Sequence, residues 1–149
     1  MTIKIISLKE MQATEFYDCF KLRSDVFVVE QKCIYPDIDC IDKTANHLLA
    51  YNEAELVGYS RIYTREDSFP IIGRVVIKRQ FRNKGFAKLI MKAAINFIEH
   101  TSSNKNIKIS AQEYLKEFYQ KLNFKQNGDS YLDYGIPHIN MQLNLKKKN

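Results

Sequence analysis

IIGRVVI (71–77) is nearly all apolar, lies between Pro70 and Lys78, and opens at once onto RQFRNKGFAKLI (79–90). A short run without polar alternation reads as a central strand buried on both faces of a sheet. The stretch after it sets four cations, Arg79, Arg82, Lys84 and Lys88, around Gly85, one of five glycines in the chain, and leads into an apolar run. A buried strand feeding a tight basic turn and then a helix is an anion-binding design. The first N–H groups of a helix lack intrahelical partners, and the helix dipole adds positive potential there. Gly85 lets the backbone approach a ligand where a side chain would block it. Arg82 and Lys84 supply charge, arginine being suited to a bidentate phosphate grip. The turn is neither G-x-x-x-x-G-K-[ST] nor G-x-G-x-x-G, so on its own it names no ligand.

The remaining pattern places this unit in a larger sheet. IKIIS (3–7) reads as a first strand. A helical stretch follows within residues 10–28, carrying Phe16, Phe20 and Phe27 on roughly helical spacing. Its start is ambiguous, because Ser7 with Glu10 makes a capping box while Thr14 is an equally good cap. Residues 33–45 have Pro36, three aspartates (Asp37, Asp39 and Asp42) and no period, which predicts a loop. Two strands then follow, HLLAY (47–51) and ELVGYSRIY (55–63), the second placing Val57, Tyr59, Arg61 and Tyr63 on one face. From Phe86 to His100 a polar stripe of Lys88, Lys92, Asn96 and Glu99 marks a mostly buried amphipathic helix. NIKISA (106–111) is a strand, and Tyr114, Leu115, Phe118, Tyr119 and Leu122 give a short helix. PHINMQLNL (137–145) ends the pattern, with Ile139, Met141, Leu143 and Leu145 opposite His138, Asn140, Gln142 and Asn144. The order β α β β β α β α β predicts an α/β fold with a mixed sheet covered by helices.

Length bounds this to one domain, residues 1–145, with the basic KKKN tail (146–149) as a disordered end. With 45% apolar residues, nine Tyr and nine Phe, the chain is not intrinsically disordered. No apolar run reaches membrane-span length, and the N-terminus lacks a secretory signal, so a soluble cytoplasmic protein is expected. Net charge is +6, but residues 25–42 hold Asp25, Glu30, Asp37, Asp39 and Asp42 against Lys32 alone, a local net of −4 that leaves +10 elsewhere. A basic body with one acidic segment suggests an anion bound in one place and a cation in another. Three cysteines are an odd count suited to a reducing compartment. Cys33, Cys40 and His47 stand seven apart, but the spacing fits no zinc knuckle and no fourth ligand presents itself, so no metal is expected.

VVIKRQFRNKGFAKLIM resembles the acyl-CoA signature of the GNAT N-acetyltransferase superfamily, [Q/R]-x-x-G-x-[G/A], with Arg82, Gly85 and Ala87 on the fixed positions. AQEYLKEFYQKLNF resembles its second motif, with Tyr119 five residues before Phe124. Asn123 stands where the superfamily often has glycine, and Gln112 where many members carry asparagine. LRSDVFVVEQKCIYPDIDCID (22–42), NHLLAY (46–51), IGRVVI and YGIPHINM (134–141) are similar to the ElaA-like branch, with Cys40 where that branch often has glycine.

The resemblance implies an enzyme that moves the acetyl group of acetyl-CoA to a primary amine by direct attack, on a small-molecule or peptide acceptor, as a monomer or homodimer. Acetyl-CoA would lie in a V between IIGRVVI and NIKISA. The backbone of Val75, Val76 and Ile77 would pair with the pantetheine arm. Arg82, Asn83, Lys84, Gly85, Phe86, Ala87 and Lys88 would hold the pyrophosphate, with Gln112 nearby. Tyr119 matches the usual acid that serves the leaving thiolate. Glu30, His47 and His138 are candidates for the base; histidine titrates near neutrality, while Glu30 would need its pKa raised by burial. Glu30, Gln31, Arg61 and His138 are candidates for holding the substrate. The acidic loop suits a cationic amine, whereas Arg61 favours a substrate bearing a carboxylate. Rival readings are a GNAT-fold sensor that binds acyl-CoA without catalysis, and a basic nucleic-acid-binding module. The latter lacks any recognisable interleaving of cations and aromatics. A cysteine hydrolase using Cys33 or Cys40 with His47 has no local signature behind it.

Overall fold

Leu48 and Leu49 are neighbours in one strand, yet they enter two different apolar cores, and that division organises the molecule. In the computed structural model, which describes residues 1–65 and 69–145, the strands form one mixed sheet with helices on both faces. The elements run β1 (Thr2–Ser7), α1 (Ala13–Arg23), β2 (Asn46–Asn52), β3 (Glu55–Thr64), β4 (Pro70–Ile77), α2 (Phe86–Thr101) and β5 (Asn106–Gln112). Then come α3 (Lys116–Gln120), β6 (Lys125–Gln126), β7 (Tyr131–Asp133) and β8 (Ile136–Asn144). Strand order is β1-β2-β3-β4-β5-β8-β6, with β7 also on β8. The first four strands pair antiparallel in chain order, β1 and β2 being separated by α1 and the segment after it, and β4 and β5 are parallel, joined through α2. The expected mixed α/β architecture is therefore present. The tail at 146–149 lies outside the described residues.

α2 forms one wall because its apolar positions recur on one face: Ile90, Met91, Ala94 and Ile98 are buried against Leu48, Ala50, Ile62 and Ile72. α1 covers the other face with Cys19, Phe20 and Leu22 over Leu49, Tyr59 and Val76. α1 starts neither at Ser7 nor at Thr14. The Ser7–Glu10 capping box closes a separate 3-10 turn (Leu8–Glu10), and Gln12 caps α1 through its own box with Glu15. Beyond Arg23 the chain widens into a π-helix, Ser24–Glu30, which the apolar spacing alone does not distinguish from α. The residues of the expected third helix split into a 3-10 turn, Glu113–Leu115, and α3. Asn123 ends this unit with φ of 72°, the left-handed helix end its identity allows. Two short strands, β6 and β7, were not anticipated. β7 and β8 are joined by Tyr134 and Gly135, both at positive φ, as a two-residue hairpin turn requires.

Two features of the central strands shape the site. β4 carries a bulge: Tyr59 pairs with Val76 but Arg61 with Gly73, and Arg74 takes φ of 51°. On its other side β4 joins β5 at one pair, Ile71↔Lys108, and among the described residues no further pair links them. Towards their C-terminal ends the two strands thus part.

Gly58 lets α2 approach β3, since a Cβ there would sit 2.4 Å from Ile90 Cδ1 and 3.0 Å from Ile77 Cδ1. Gly58→Ala is therefore expected to destabilise the fold by about 1–3 kcal/mol through overpacking, measured as a lower denaturant midpoint with unchanged slope.

Candidate active site

The gap between the parted strands is a cleft of about 200 Å³. Val75 and Gly73 from β4, Ser110 and Gln112 from β5, His138 from β8 and Tyr119 from α3 all reach it. Beyond Ile71 the β4 edge facing the cleft carries backbone groups without ladder partners on β5, which is the surface an extended ligand can add to as a strand. At the end of β4 the chain passes through a 3-10 turn, Arg79–Phe81, and enters α2 at Gly85. Gly85 has φ of 82°, and a Cβ there would meet nothing within 4 Å. Glycine is demanded here by the backbone conformation, and the space beside it is open to a ligand. Asn83 also sits in the left-handed region, with φ of 62°. Lys84 Nζ lies 5.5 Å from the centre of the Phe81 ring.

Tyr119 is buried against Phe118 and Phe124, and this desolvation pushes its phenol up to about 12. It therefore stays protonated and acts as a donor at neutral pH. His138 Nδ1 donates to the Ile136 carbonyl at 2.7 Å, so in the neutral ring Nε2 carries the lone pair. A tyrosine donor and an imidazole acceptor thus share one cleft. Gln112 Nε2 donates to Gln31 Oε1 at 3.1 Å and ties β5 to the chain leaving the π-helix.

A match to the acetyltransferase (GNAT) domain family covers residues 10–145. The chain belongs to this family. It is 40% identical over 137 residues to a UPF0039 protein of Schizosaccharomyces pombe, covering 91% of each chain. Protein ElaA of Escherichia coli is 35% identical over 136 residues, covering 89% of each. Among solved structures, the chain superimposes on an acyl-CoA N-acyltransferase from Pseudomonas aeruginosa with a TM-score of 0.89 at 31% identity, and on E. coli ElaA with 0.89 at 32%. Each superposition covers 95% of this chain and 97% of the other. The chain is an acyltransferase of the GNAT fold, taking its acyl group from acyl-CoA. No helix among the described residues is long and apolar enough to cross a membrane.

Against this frame the sequence-derived candidates separate. Val75, Gln31, Gln112, Arg61, Tyr119 and His138 come together in the cleft. Val76 and Ile77 continue the β4 edge, and Arg82 through Lys88 form the turn and first residues of α2. His47 is not in the cleft. Its ring is 0% exposed, Nε2 donates to the Asp42 carbonyl at 2.9 Å, and Nδ1 accepts from Tyr59 Oη at 2.5 Å. Burial depresses its pKa, so the ring is a neutral packing element between α1 and the sheet. Glu30 differs from expectation as well. The hydrogen bonds of the Arg82 guanidinium hold its carboxyl below the usual range, where a base would need it raised.

The acidic loop also requires correction, because its aspartates are neutralised inside the protein. Arg23 is 0% exposed and uses its donors on Asp37 Oδ2 at 3.0 Å, the Asp37 carbonyl at 2.5 Å, Asp42 at 2.7 and 3.1 Å, and Tyr59 Oη at 3.4 Å. Arg61 bonds Asp39 at 2.6 and 3.0 Å and Asp42 at 3.0 Å. Arg74, turned by the bulge, reaches Asp37 Oδ1 at 3.0 Å. The aspartates form a buried lattice with three arginines, and Arg61 is already engaged by carboxylates of its own chain. Tyr35, Asp133 and Tyr134 line the cleft and were missed; Tyr35 and Tyr134 meet with ring centres 5.0 Å apart. Their sequence signal was the Tyr134-Gly135 turn, which brings β7 back beside β8.

This lattice predicts a loss of stability in acid. Burial raises the Asp42 pKa, but the Arg23 hydrogen bonds and the other favourable contacts outweigh it and leave the group lowered; Asp39 follows the same pattern with Arg61. A depressed carboxyl contributes stability above its unfolded pKa of about 3.9 that is lost as pH falls through the lower folded value. His47, depressed from about 6.5, takes up a proton more readily in the unfolded chain, so stability also falls below that pH. Unfolding free energy should therefore decline from about pH 6.5 and steepen below about pH 4, and a rise on acidification would contradict the assignment. Asp42→Ala should cost roughly 3–5 kcal/mol by leaving Arg23 and Arg61 short of a buried partner, read by denaturant unfolding.

Proposed function

We propose that the acyl group is acetyl and that the acceptor is a primary amine of a small molecule or peptide. The observation that carries this reading is that Tyr119 and His138 both line a cleft bordered by the unpaired β4 edge. Backbone groups of Val75 to Ile77 hold the pantetheine arm, and the N–H groups around Gly85 to Lys88 face the pyrophosphate. Gly85 leaves room for that approach.

Acetyl-CoA supplies an activated thioester. His138 Nε2 accepts the proton lost as the amine nitrogen bonds the carbonyl carbon. Tyr119 serves the sulfur as the C–S bond breaks. With its phenol at about 12 against about 8.5 for an ordinary thiol, full proton transfer to the thiolate runs uphill, so Tyr119 stabilises it by donating a hydrogen bond.

Thermal melts with acetyl-CoA, CoA and ATP test the cofactor first. At 100 times Kd a bound ligand adds about 2.7 kcal/mol, and a shift with ATP alone would overturn the reading. Thiol release with acetyl-, butyryl- and octanoyl-CoA over a set of primary amines tests acyl length and acceptor. Tyr119→Phe should lower kcat about 100-fold while CoA affinity stays within twofold; unchanged kcat would remove Tyr119 from the chemistry.

A further inference from the structure

Arg82, the residue placed to grip the pyrophosphate, is already held by an anion. Its Nη1 donates to Glu30 Oε2 at 2.5 Å and its Nη2 to Glu30 Oε1 at 3.0 Å, a two-point grip on a carboxylate. A phosphate group takes the same fork of donors in the same way. Nε of Arg82 is bound separately, to the Ile77 carbonyl at 3.0 Å, so the guanidinium keeps its place at the end of β4 whichever anion it holds. Both partners are about one-third exposed, at 31% and 30%, so water and an incoming anion can compete for the pair.

Glu30 is the last residue of the π-helix Ser24–Glu30, a rare backbone form found frequently at functional sites. The next residue, Gln31, receives the Gln112 hydrogen bond that bridges to β5. Cys33, two residues on, is tethered through its N–H to the Phe27 carbonyl at 2.9 Å and lines the cleft. One short segment therefore touches both the phosphate end of the site and the cleft.

Building on the cofactor site proposed above, we infer that Glu30 is an internal stand-in for the cofactor phosphate. Acyl-CoA binds by displacing this carboxylate from Arg82, and the displaced segment releases the Gln31–Gln112 bridge. Cofactor binding thereby loosens the segment that borders the acceptor side of the cleft. Glu30 is a positioning residue in this scheme and does not touch the reacting atoms.

Calorimetric titration of CoA and of S-acetylpantetheine, which lacks the pyrophosphate, tests the idea on wild type, Glu30→Gln, Arg82→Gln and the double variant. Glu30→Gln should tighten CoA binding about three- to fivefold and leave S-acetylpantetheine unchanged. In the Arg82→Gln background, the Glu30 substitution should have no further effect on CoA. Amide exchange at Gln31 and Cys33 should speed up when CoA binds wild type and should already be fast in Glu30→Gln. Equal or weaker CoA binding by Glu30→Gln would overturn the proposal and leave the cofactor site standing. Failure of wild type to bind CoA at all would overturn both.

Discussion

A fully buried guanidinium, that of Arg23, stands at the centre of this fold. Burying such a charge is costly unless every donor finds an acceptor, and Arg23 meets that condition with Asp37, Asp42 and Tyr59. The consequence spreads outwards. The irregular segment from Cys33 to Ala45 is drawn against the sheet, Asp39 and Asp42 take Arg61 from β3, and Asp37 takes Arg74 from β4. His47 and Tyr59 close the same lattice from below.

The link from this lattice to function is Arg74. It sits at the β4 bulge with left-handed backbone, and its side chain is tied to the loop. A bulge adds local twist and breaks regular pairing, and β4 leaves β5 just where the bulge begins. The opened edge presents what the proposed function uses: backbone groups without ladder partners on β5, beside a cleft lined by Tyr119 and His138. Under the proposed function, loop packing and cofactor binding are thus two ends of one structural arrangement.

Much of the frame was legible from local periodicity. Alternation in PHINMQLNL, the apolar run of IIGRVVI, and the stripe on 86–100 each record a burial pattern that the finished sheet retains, whereas ELVGYSRIY, read as alternating, is buried on both faces from Leu56 to Ile62 because helices cover both sides of the sheet. Asn123 was readable because positive φ restricts residue type; Gly85 was singled out for close approach of a ligand, and its positive φ emerges from the structure. What could not be read was anything that depended on partners distant in sequence. The −4 segment looked like a site for a cation because a window sum sees Asp37, Asp39 and Asp42 but not Arg23, Arg61 and Arg74. Glu30 looked like a base because Arg82, 52 residues away, was not known to face it. His47 was a candidate by type alone, and only burial shows it to be part of the packing. The π-helix and the short strands β6 and β7 leave too few residues for a period to emerge.

The central claim is that acyl-CoA lies along the free edge of β4 with its pyrophosphate at the Gly85 turn. Backbone amide NMR during titration with CoA tests it most directly. The account predicts that the largest shifts fall on the N–H groups of Val75 to Ile77 and of Gly85 to Lys88, with β1 and β2 unaffected. Saturable CoA binding that leaves those amides unmoved, with shifts elsewhere in the sheet, would contradict it.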